Sequence, residues 1–120
     1  MMKKILIIDD DPSAREYLGS VFEDNGYQTI TAADVPDALA AAKAERPDLI
    51  TLDLELPGEW GPRFYRHMSQ QPELKNIPVI VISGLTGSKY AIGKAVASLT
   101  KPFDRDELLT IVRDTIGPDD

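Results

Sequence analysis

Short apolar runs alternate along this chain with segments in which apolar residues recur every three or four positions. The short runs are rich in isoleucine, valine and leucine, which is typical of strands that are covered on both faces of a parallel sheet. The recurring positions predict amphipathic helices, each with one apolar stripe. The predicted strands are residues 5–8, 27–32, 48–53, 77–82 and 96–100.

Residues typical of helix boundaries separate these strands. Asp11 and Pro12 open the first helix, and Asp34 and Asp104 are the expected N-caps of the second and the last. The helix predicted for residues 88–94 has the weakest pattern. Apolar stripes are expected from Ala14, Tyr17, Leu18, Val21 and Phe22 in the first helix and from Phe64, Tyr65 and Met68 in the third. The alternation of strands and helices predicts one α/β domain over residues 1–120, with helices on both faces of a parallel sheet.

The composition narrows the classes of function. The apolar fraction of 42% supplies a hydrophobic core, and the absence of cysteine excludes disulfides and cysteine-ligated zinc. A formal net charge of −7 repels phosphate backbones, so direct binding to nucleic acid is not expected. No apolar run approaches the roughly 20 residues that cross a membrane, and the run after Lys4 is too short for a signal peptide. We therefore expect a soluble, cytoplasmic protein without a membrane partner.

Polar residues stand at the carboxyl ends of four of the predicted strands. Asp9 and Asp10 follow the first strand, and Asp53 ends the third. Ser83 follows the fourth strand and Lys101 follows the fifth. Ligands of open α/β sheets bind outside the carboxyl ends of the strands, so these residues are expected to share one edge.

Three neighbouring carboxylates raise each other's pKa unless a cation lies between them. Mg²⁺ (or Mn²⁺) binds one or two carboxylates together with water and phosphate oxygens. We expect Asp10 to be a direct ligand, Asp9 to be a ligand or to hold a metal-bound water, and Asp53 to bind through one oxygen. The backbone carbonyl of Glu55 completes the expected ligands from the protein.

Phosphoryl transfer is the chemistry that these residues favour. A carboxylate is ionised at neutral pH, so Asp53 can attack phosphorus without a general base. Lys101 supplies a positive charge for one phosphoryl oxygen, and Ser83 supplies a hydroxyl for another. Gly84 leaves room beside the phosphoryl group. A cis bond between Lys101 and Pro102 is expected to turn the lysine toward the site.

Each of these residues has a simpler interpretation when it is taken alone. Residues 9–11 are also typical of a solvated helix cap, and Asp53 of a carboxylate paired with an arginine. Ser83 and Lys101 are ordinary residues at the start of a loop or a helix. His67, the only histidine, is expected on a helix surface. The combination of these residues at four strand ends favours a functional site, because the strand pattern, the expected topology and the side-chain chemistry all indicate the same edge of the sheet.

Four motifs resemble those of response-regulator receiver domains of two-component signalling. They are Ile-Leu-Ile-Ile-Asp-Asp-Asp-Pro at 5–12, Leu-Asp-Leu-Glu-Leu-Pro-Gly at 52–58, Val-Ile-Val-Ile-Ser-Gly at 79–84 and Leu-Thr-Lys-Pro-Phe at 99–103. The resemblance extends from Lys4 to about Gly117. It implies the chemotaxis-regulator-like fold, a flavodoxin-like three-layer sandwich. That fold has a five-stranded parallel sheet in the order 2-1-3-4-5 and five helices.

The resemblance also implies a role for each site residue. By this resemblance Asp53 is the phospho-acceptor, and Asp9 and Asp10 hold Mg²⁺. Ser83 is the switch hydroxyl, and Lys101 binds the phosphoryl group. The implied phosphodonor is a sensor histidine kinase or a histidine phosphotransfer protein. The domain would catalyse its own phosphorylation and dephosphorylation without being a turnover enzyme.

Three positions depart from the usual pattern of the family. Ser98 stands three residues before the lysine, where an aromatic residue usually turns inward on phosphorylation. Residues 59–61 read Glu-Trp-Gly in place of Met-Asp-Gly, which is expected to bring the indole of Trp60 near the site. Glu55 adds a negative charge two residues after Asp53, at a position that tunes hydrolysis of the acyl phosphate.

Other functions use the same residues. The leading interpretation is a stand-alone switch, because no output domain follows the last helix, and a receiver cut from a longer protein is its alternative. A Mg²⁺-dependent phosphohydrolase with an aspartyl-phosphate intermediate is a second class, although the chain shows no substrate domain. A degenerate receiver that acts only as an interaction module is a third, motivated by Ser98.

Overall fold

The computed structural model of the chain describes residues 2–56, 59–84 and 95–117. Its strands are β1 (Lys4–Ile8), β2 (Gln28–Ala32), β3 (Leu49–Leu52), β4 (Glu55–Leu56), β5 (Glu59–Trp60), β6 (Val79–Ser83) and β7 (Ala97–Thr100). Its helices are α1 (Pro12–Glu23), α2 (Val35–Glu45), α3 (Gly61–Ser69) and α4 (Arg105–Ile116). The helix expected at residues 88–94 lies outside the described residues.

Five of the strands form a parallel sheet in the order β2-β1-β3-β6-β7. Numbered among themselves these strands have the order 2-1-3-4-5, so the expected flavodoxin-like topology is confirmed. Ile8, the last residue of β1, lies opposite both Ala32 and Leu52, the last residues of β2 and β3. The carboxyl ends of these three strands are therefore level, and the residues that follow them emerge at one edge.

Two apolar layers cover the sheet. Successive residues of a strand point to opposite faces, so a strand with a layer on each face is apolar at nearly every position. One layer contains Ile5 and Ile7 and the buried side chains Leu18, Val21, Phe22, Leu108 and Val112 of α1 and α4. The other contains Leu6 and Ile8 and the buried side chains Ala38, Ala42, Phe64 and Met68 of α2 and α3. This arrangement explains why the first apolar run has no polar position.

A short antiparallel pair, β4 with β5, follows the central strand β3. The sequence predicts a turn at Pro57 and Gly58, which lie outside the described residues, but it does not predict a strand pair around them. Strands of two residues are too short to show alternation, so periodicity could not reveal them.

The expected helix caps are present. The side chains of Asp11, Asp34 and Asp104 each accept a hydrogen bond from a backbone N–H in the first turn of α1, α2 and α4. The apolar stripe of α1 needs one correction, because the Tyr17 side chain is 50% exposed. A phenolic side chain tolerates this position because its hydroxyl is polar. Among the described residues, no helix has the length and apolar character needed to span a membrane.

Candidate functional site

Backbone hydrogen bonds continue the sheet one residue beyond the strands and so position the site. The amide of Asp53 donates to the carbonyl of Ile8 at 2.9 Å, and the amide of Asp9 donates to the carbonyl of Ala32 at 3.1 Å. The amide of Lys101 donates to the carbonyl of Ser83, also at 2.9 Å. These bonds bring the residues expected at the strand ends to the same edge of the sheet.

The carboxylates of Asp9, Asp10 and Asp53 form a cluster. One oxygen of each lies within 4.8 Å of the others. Asp9 and Asp53 are 2% and 4% exposed, whereas Asp10 is exposed. The ligand atoms are all oxygens, which suits a hard divalent cation such as Mg²⁺ or Mn²⁺ and disfavours softer metals. The cluster therefore fits the cation that the sequence analysis expected.

Lys101 joins the two buried carboxylates. Its ammonium group lies 2.5 Å from Oδ2 of Asp9 and 3.3 Å from Oδ2 of Asp53. Burial raises the pKa of Asp9, the charge of Asp53 raises it further, and the bond to Lys101 opposes both. Burial alone would lower the pKa of Lys101, but the hydrogen bond to Asp9 and the nearby negative charges outweigh it, so that pKa is raised. Lys101 is therefore a cation at neutral pH.

Asp9 has a partner on every polar group. Besides the bonds already given, its Oδ1 accepts from the amide of Asp11 at 3.0 Å. Its backbone carbonyl accepts from Nη1 of Arg15 at 2.8 Å. Sequence reasoning missed Arg15, because an arginine in the first turns of a helix is usually a solvated residue and no motif marked it.

The other expected site residues lie close to this edge. Ser83 is the last residue of β6 and is 1% exposed, and Gly84 after it is exposed. The peptide bond between Lys101 and Pro102 is cis, as expected. A groove of about 310 Å³ lies beside Lys101 and is lined by Ala14, Tyr17, Leu18, Lys101, Pro102 and Phe103.

The three positions that depart from the pattern have different surroundings. Glu55 and Trp60 lie opposite each other in the β4–β5 pair, which follows β3 in the chain. The metal-binding role of the Glu55 carbonyl and the proximity of the Trp60 indole stay predictions. Ser98 is exposed on β7, which is the edge strand of the sheet within the described residues. Its role as a switch position also stays a prediction.

Comparison with known proteins agrees with this fold. The response regulator receiver domain family matches residues 5–113. The chain belongs to this family. It is therefore a phosphorylatable receiver domain of a two-component system, and such domains accept phosphate from histidine kinases or phosphotransfer proteins. As a class they are signalling modules and not turnover enzymes.

Two curated relatives cover most of this receiver. Protein Rrf1 of Nitratidesulfovibrio vulgaris is 41% identical over 93% of this chain and 81% of its own. Sporulation initiation phosphotransferase F of Bacillus subtilis is 37% identical over 94% of this chain and 93% of its own. A solved receiver domain of a sensor histidine kinase from Pseudomonas aeruginosa is 27% identical, with a TM-score of 0.88 over 98% of this chain and 99% of its own. That structure contains a magnesium ion in its active-site cleft.

Proposed function

We propose that Asp53 accepts a phosphoryl group in a Mg²⁺-dependent reaction and that the phosphorylated domain changes its binding to another protein. The observation that carries this proposal is the position of Asp53. Its carboxylate is 4% exposed, yet it lies 3.3 Å from the Lys101 ammonium and within 4.8 Å of two other carboxylates. A buried carboxylate next to a cation and a divalent-cation site is suited to attack phosphorus.

The proposed transfer starts from a phosphohistidine of the donor protein. An Asp53 oxygen forms a new P–O bond while the P–N bond breaks. The imidazole nitrogen keeps the electron pair of that bond and takes a proton from water. Bound Mg²⁺ supplies neutralisation of the charge on the phosphoryl oxygens. Asp9, Asp10 and the Glu55 carbonyl are the protein groups that would hold it besides Asp53.

Lys101 and Ser83 have complementary parts in this proposal. The Lys101 ammonium moves from the carboxylates to a phosphoryl oxygen, where a compact charge is effective without a fixed direction. Ser83 donates its hydroxyl to a second oxygen, and Gly84 leaves the approach open. Hydrolysis of the acyl phosphate by water then breaks the P–O bond and restores the Asp53 carboxylate, which is the proposed autodephosphorylation.

The Asp53 carboxylate is almost inaccessible, so a protein phosphodonor can reach it only by contacting the surface around it. The groove beside Lys101 is an apolar surface close to Asp53, because Lys101 lines the groove and also contacts the Asp53 carboxylate. Tyr17 and Phe103 contribute rings whose centroids are 6.1 Å apart, and the Tyr17 side chain is half exposed. We propose that the groove receives an apolar helix face of the histidine kinase or phosphotransfer protein.

The decisive experiment is phosphorylation with a small-molecule donor. With Mg²⁺ and acetyl phosphate, the wild-type protein should gain the mass of one phosphoryl group, and Asp53→Asn should gain none. Asp114→Asn removes an exposed carboxylate on α4 and should react like wild type. A wild type that stays unmodified, or an Asp53→Asn protein that is modified equally, contradicts the assignment. An unmodified wild type would indicate a domain that acts through binding alone, whereas a modified Asp53→Asn protein would indicate another acceptor residue.

A further inference from the structure

Arg15 is the side chain near the acidic cluster that phosphoryl transfer does not use. Its guanidinium donates to the backbone carbonyl of Asp9 at 2.8 Å, and the bond is partly buried. Within the described residues no carboxylate lies at ion-pair distance from Arg15. The half-buried Arg15 therefore bonds a backbone oxygen and, among the described residues, no acid. We infer that its role is to fix the conformation of that backbone.

The carbonyl of Asp9 belongs to the peptide unit that leads into Asp10. A peptide unit is planar, so fixing the direction of its C=O also fixes the direction of the Asp10 N–H and the point from which Asp10 leaves the chain. Arg15 is itself fixed, because its amide donates to the carbonyl of Asp11 at 3.0 Å in the first turn of α1. The arginine thus closes a short loop across residues 9–15.

Asp10 depends on this loop more than Asp9 does. Asp9 is held at both carboxylate oxygens, by Lys101 and by the amide of Asp11. In the part of the chain that the structure describes, no group hydrogen-bonds the exposed carboxylate of Asp10. Its position therefore rests on the backbone that carries it. Arg15 holds the peptide unit before Asp10, and the Asp9 carboxylate holds the amide of Asp11 after it.

We propose that Arg15 is a positioning residue for the divalent cation, acting through the peptide unit between Asp9 and Asp10. The inference rests on the proposed function, because it takes Asp9 and Asp10 as cation ligands. Groups that orient metal ligands typically change metal affinity by about 10- to 100-fold when they are removed. The positive charge of Arg15 acts in the opposite direction, since it disfavours a second cation nearby.

The experiment is isothermal titration calorimetry of the whole domain with MgCl₂ alone. Arg15→Met keeps an unbranched apolar stem but removes both donor and charge, and roughly tenfold weaker Mg²⁺ binding is expected. Arg15→Lys keeps the charge and one donor and should recover most of the affinity. Arg113→Met removes an exposed charge on α4 and should bind like wild type. Urea denaturation of each variant in EDTA supplies the readout for a purely structural role.

Several outcomes overturn the inference. Unchanged or tighter Mg²⁺ binding by Arg15→Met means that the bond to the Asp9 carbonyl does not position a ligand. A lower urea midpoint with unchanged affinity assigns Arg15 to the fold alone. Mg²⁺ binding by Arg15→Lys that is as weak as that of Arg15→Met means that a charged donor at this position does not set the affinity. If wild type itself binds no Mg²⁺, the proposed function fails first, and this result is distinct from the others.

Discussion

At the scale of single residues, the site combines positions that topology determines with positions that side-chain reach determines. Asp9, Asp53 and Lys101 directly follow strands of one parallel sheet, so the sheet brings them to the same edge whatever their rotamers. The sequence was therefore sufficient to predict their meeting. The bond from Arg15 to the Asp9 carbonyl depends on how a flexible side chain folds back over one turn, and no sequence pattern encodes that.

Thr51 is a second residue whose environment the sequence could not reveal. It lies in β3 opposite Ile7 and Ile80, and it is 1% exposed. Its hydroxyl has no hydrogen-bond partner within the part of the chain that the structure describes. A buried hydroxyl without a partner costs about 1–3 kcal/mol of stability. Threonine is common in strands because its side chain is β-branched, so the sequence pattern did not indicate that this hydroxyl would lack a partner.

Thr51→Val should therefore stabilise the domain. Valine keeps the branched shape and removes the unsatisfied hydroxyl, so the free energy of unfolding should rise by about 1 kcal/mol. Urea denaturation measures the change. Thr31→Val at an exposed position of β2 is the matched control and should stay within about 0.5 kcal/mol of wild type. A destabilised Thr51→Val protein would mean that the hydroxyl has a partner, such as a buried water.

The raised pKa of Asp9 predicts a dependence of stability on pH in the metal-free protein. Burial is the first cause, so the folded state binds the Asp9 proton more tightly than the unfolded state, whose pKa is near 3.8. The contribution of Asp9 to stability must then fall as pH rises from 3.8 through the folded-state pKa. Relative to wild type, Asp9→Asn should gain stability over this interval and show a constant difference above it.

Urea denaturation in EDTA at a series of acidic pH values measures this difference. The quantity of interest is the free energy of unfolding of Asp9→Asn minus that of wild type. If this quantity falls as pH rises, the bond to Lys101 outweighs burial and the pKa of Asp9 is lowered. A difference that is constant across the whole interval would mean that folding leaves the pKa unchanged.

At the scale of elements, the apolar runs predicted β1, β3 and β6, because strands covered on both faces consist almost entirely of apolar residues. The aspartate caps predicted the starts of α1, α2 and α4 for an equally local reason. The β4–β5 pair escaped prediction because its strands are too short for a pattern. The exposure of Tyr17 escaped because spacing places a residue on a helix face but does not say what covers that face.

The groove formed by α1 and the loop after β7 gives a prediction about partners. Tyr17→Ser removes its half-exposed ring and should slow phosphotransfer from a cognate protein donor by roughly tenfold, as a lost interface aromatic costs 1 kcal/mol or more. Phosphorylation by acetyl phosphate should keep its wild-type rate, because this donor needs no groove. Rapid-quench kinetics with both donors separates the two effects.

Val96→Ser is the control for this prediction. Val96 is also an exposed apolar residue, at 46%, but it precedes β7 and does not line the groove. It should transfer phosphate like wild type from either donor. Equal slowing of both variants would assign the effect to exposed apolar surface in general and contradict a groove-specific donor contact.

At the scale of the whole molecule, two apolar layers stabilise the fold and an acidic surface destabilises it. The layers hold the sheet from both faces, while the formal net charge of −7 makes the compact state repel itself. The carboxylate cluster concentrates part of this repulsion at one edge of the sheet. A cation bound there must therefore stabilise the fold as well as prepare the site.

Mg²⁺ should raise the thermal midpoint of the wild-type domain, because a ligand that binds only the folded state stabilises it by mass action. At 100 times the dissociation constant the gain is about 2.7 kcal/mol, which corresponds to a shift of several degrees. Differential scanning calorimetry measures the shift, and NaCl at equal ionic strength separates binding from screening of the net charge. Asp10→Asn removes an exposed carboxylate, so its metal-free midpoint should stay near that of wild type while its Mg²⁺ response is lost. If NaCl reproduces the whole shift, or if Asp10→Asn responds fully, the stabilisation comes from screening of the acidic surface and the cluster does not hold the cation.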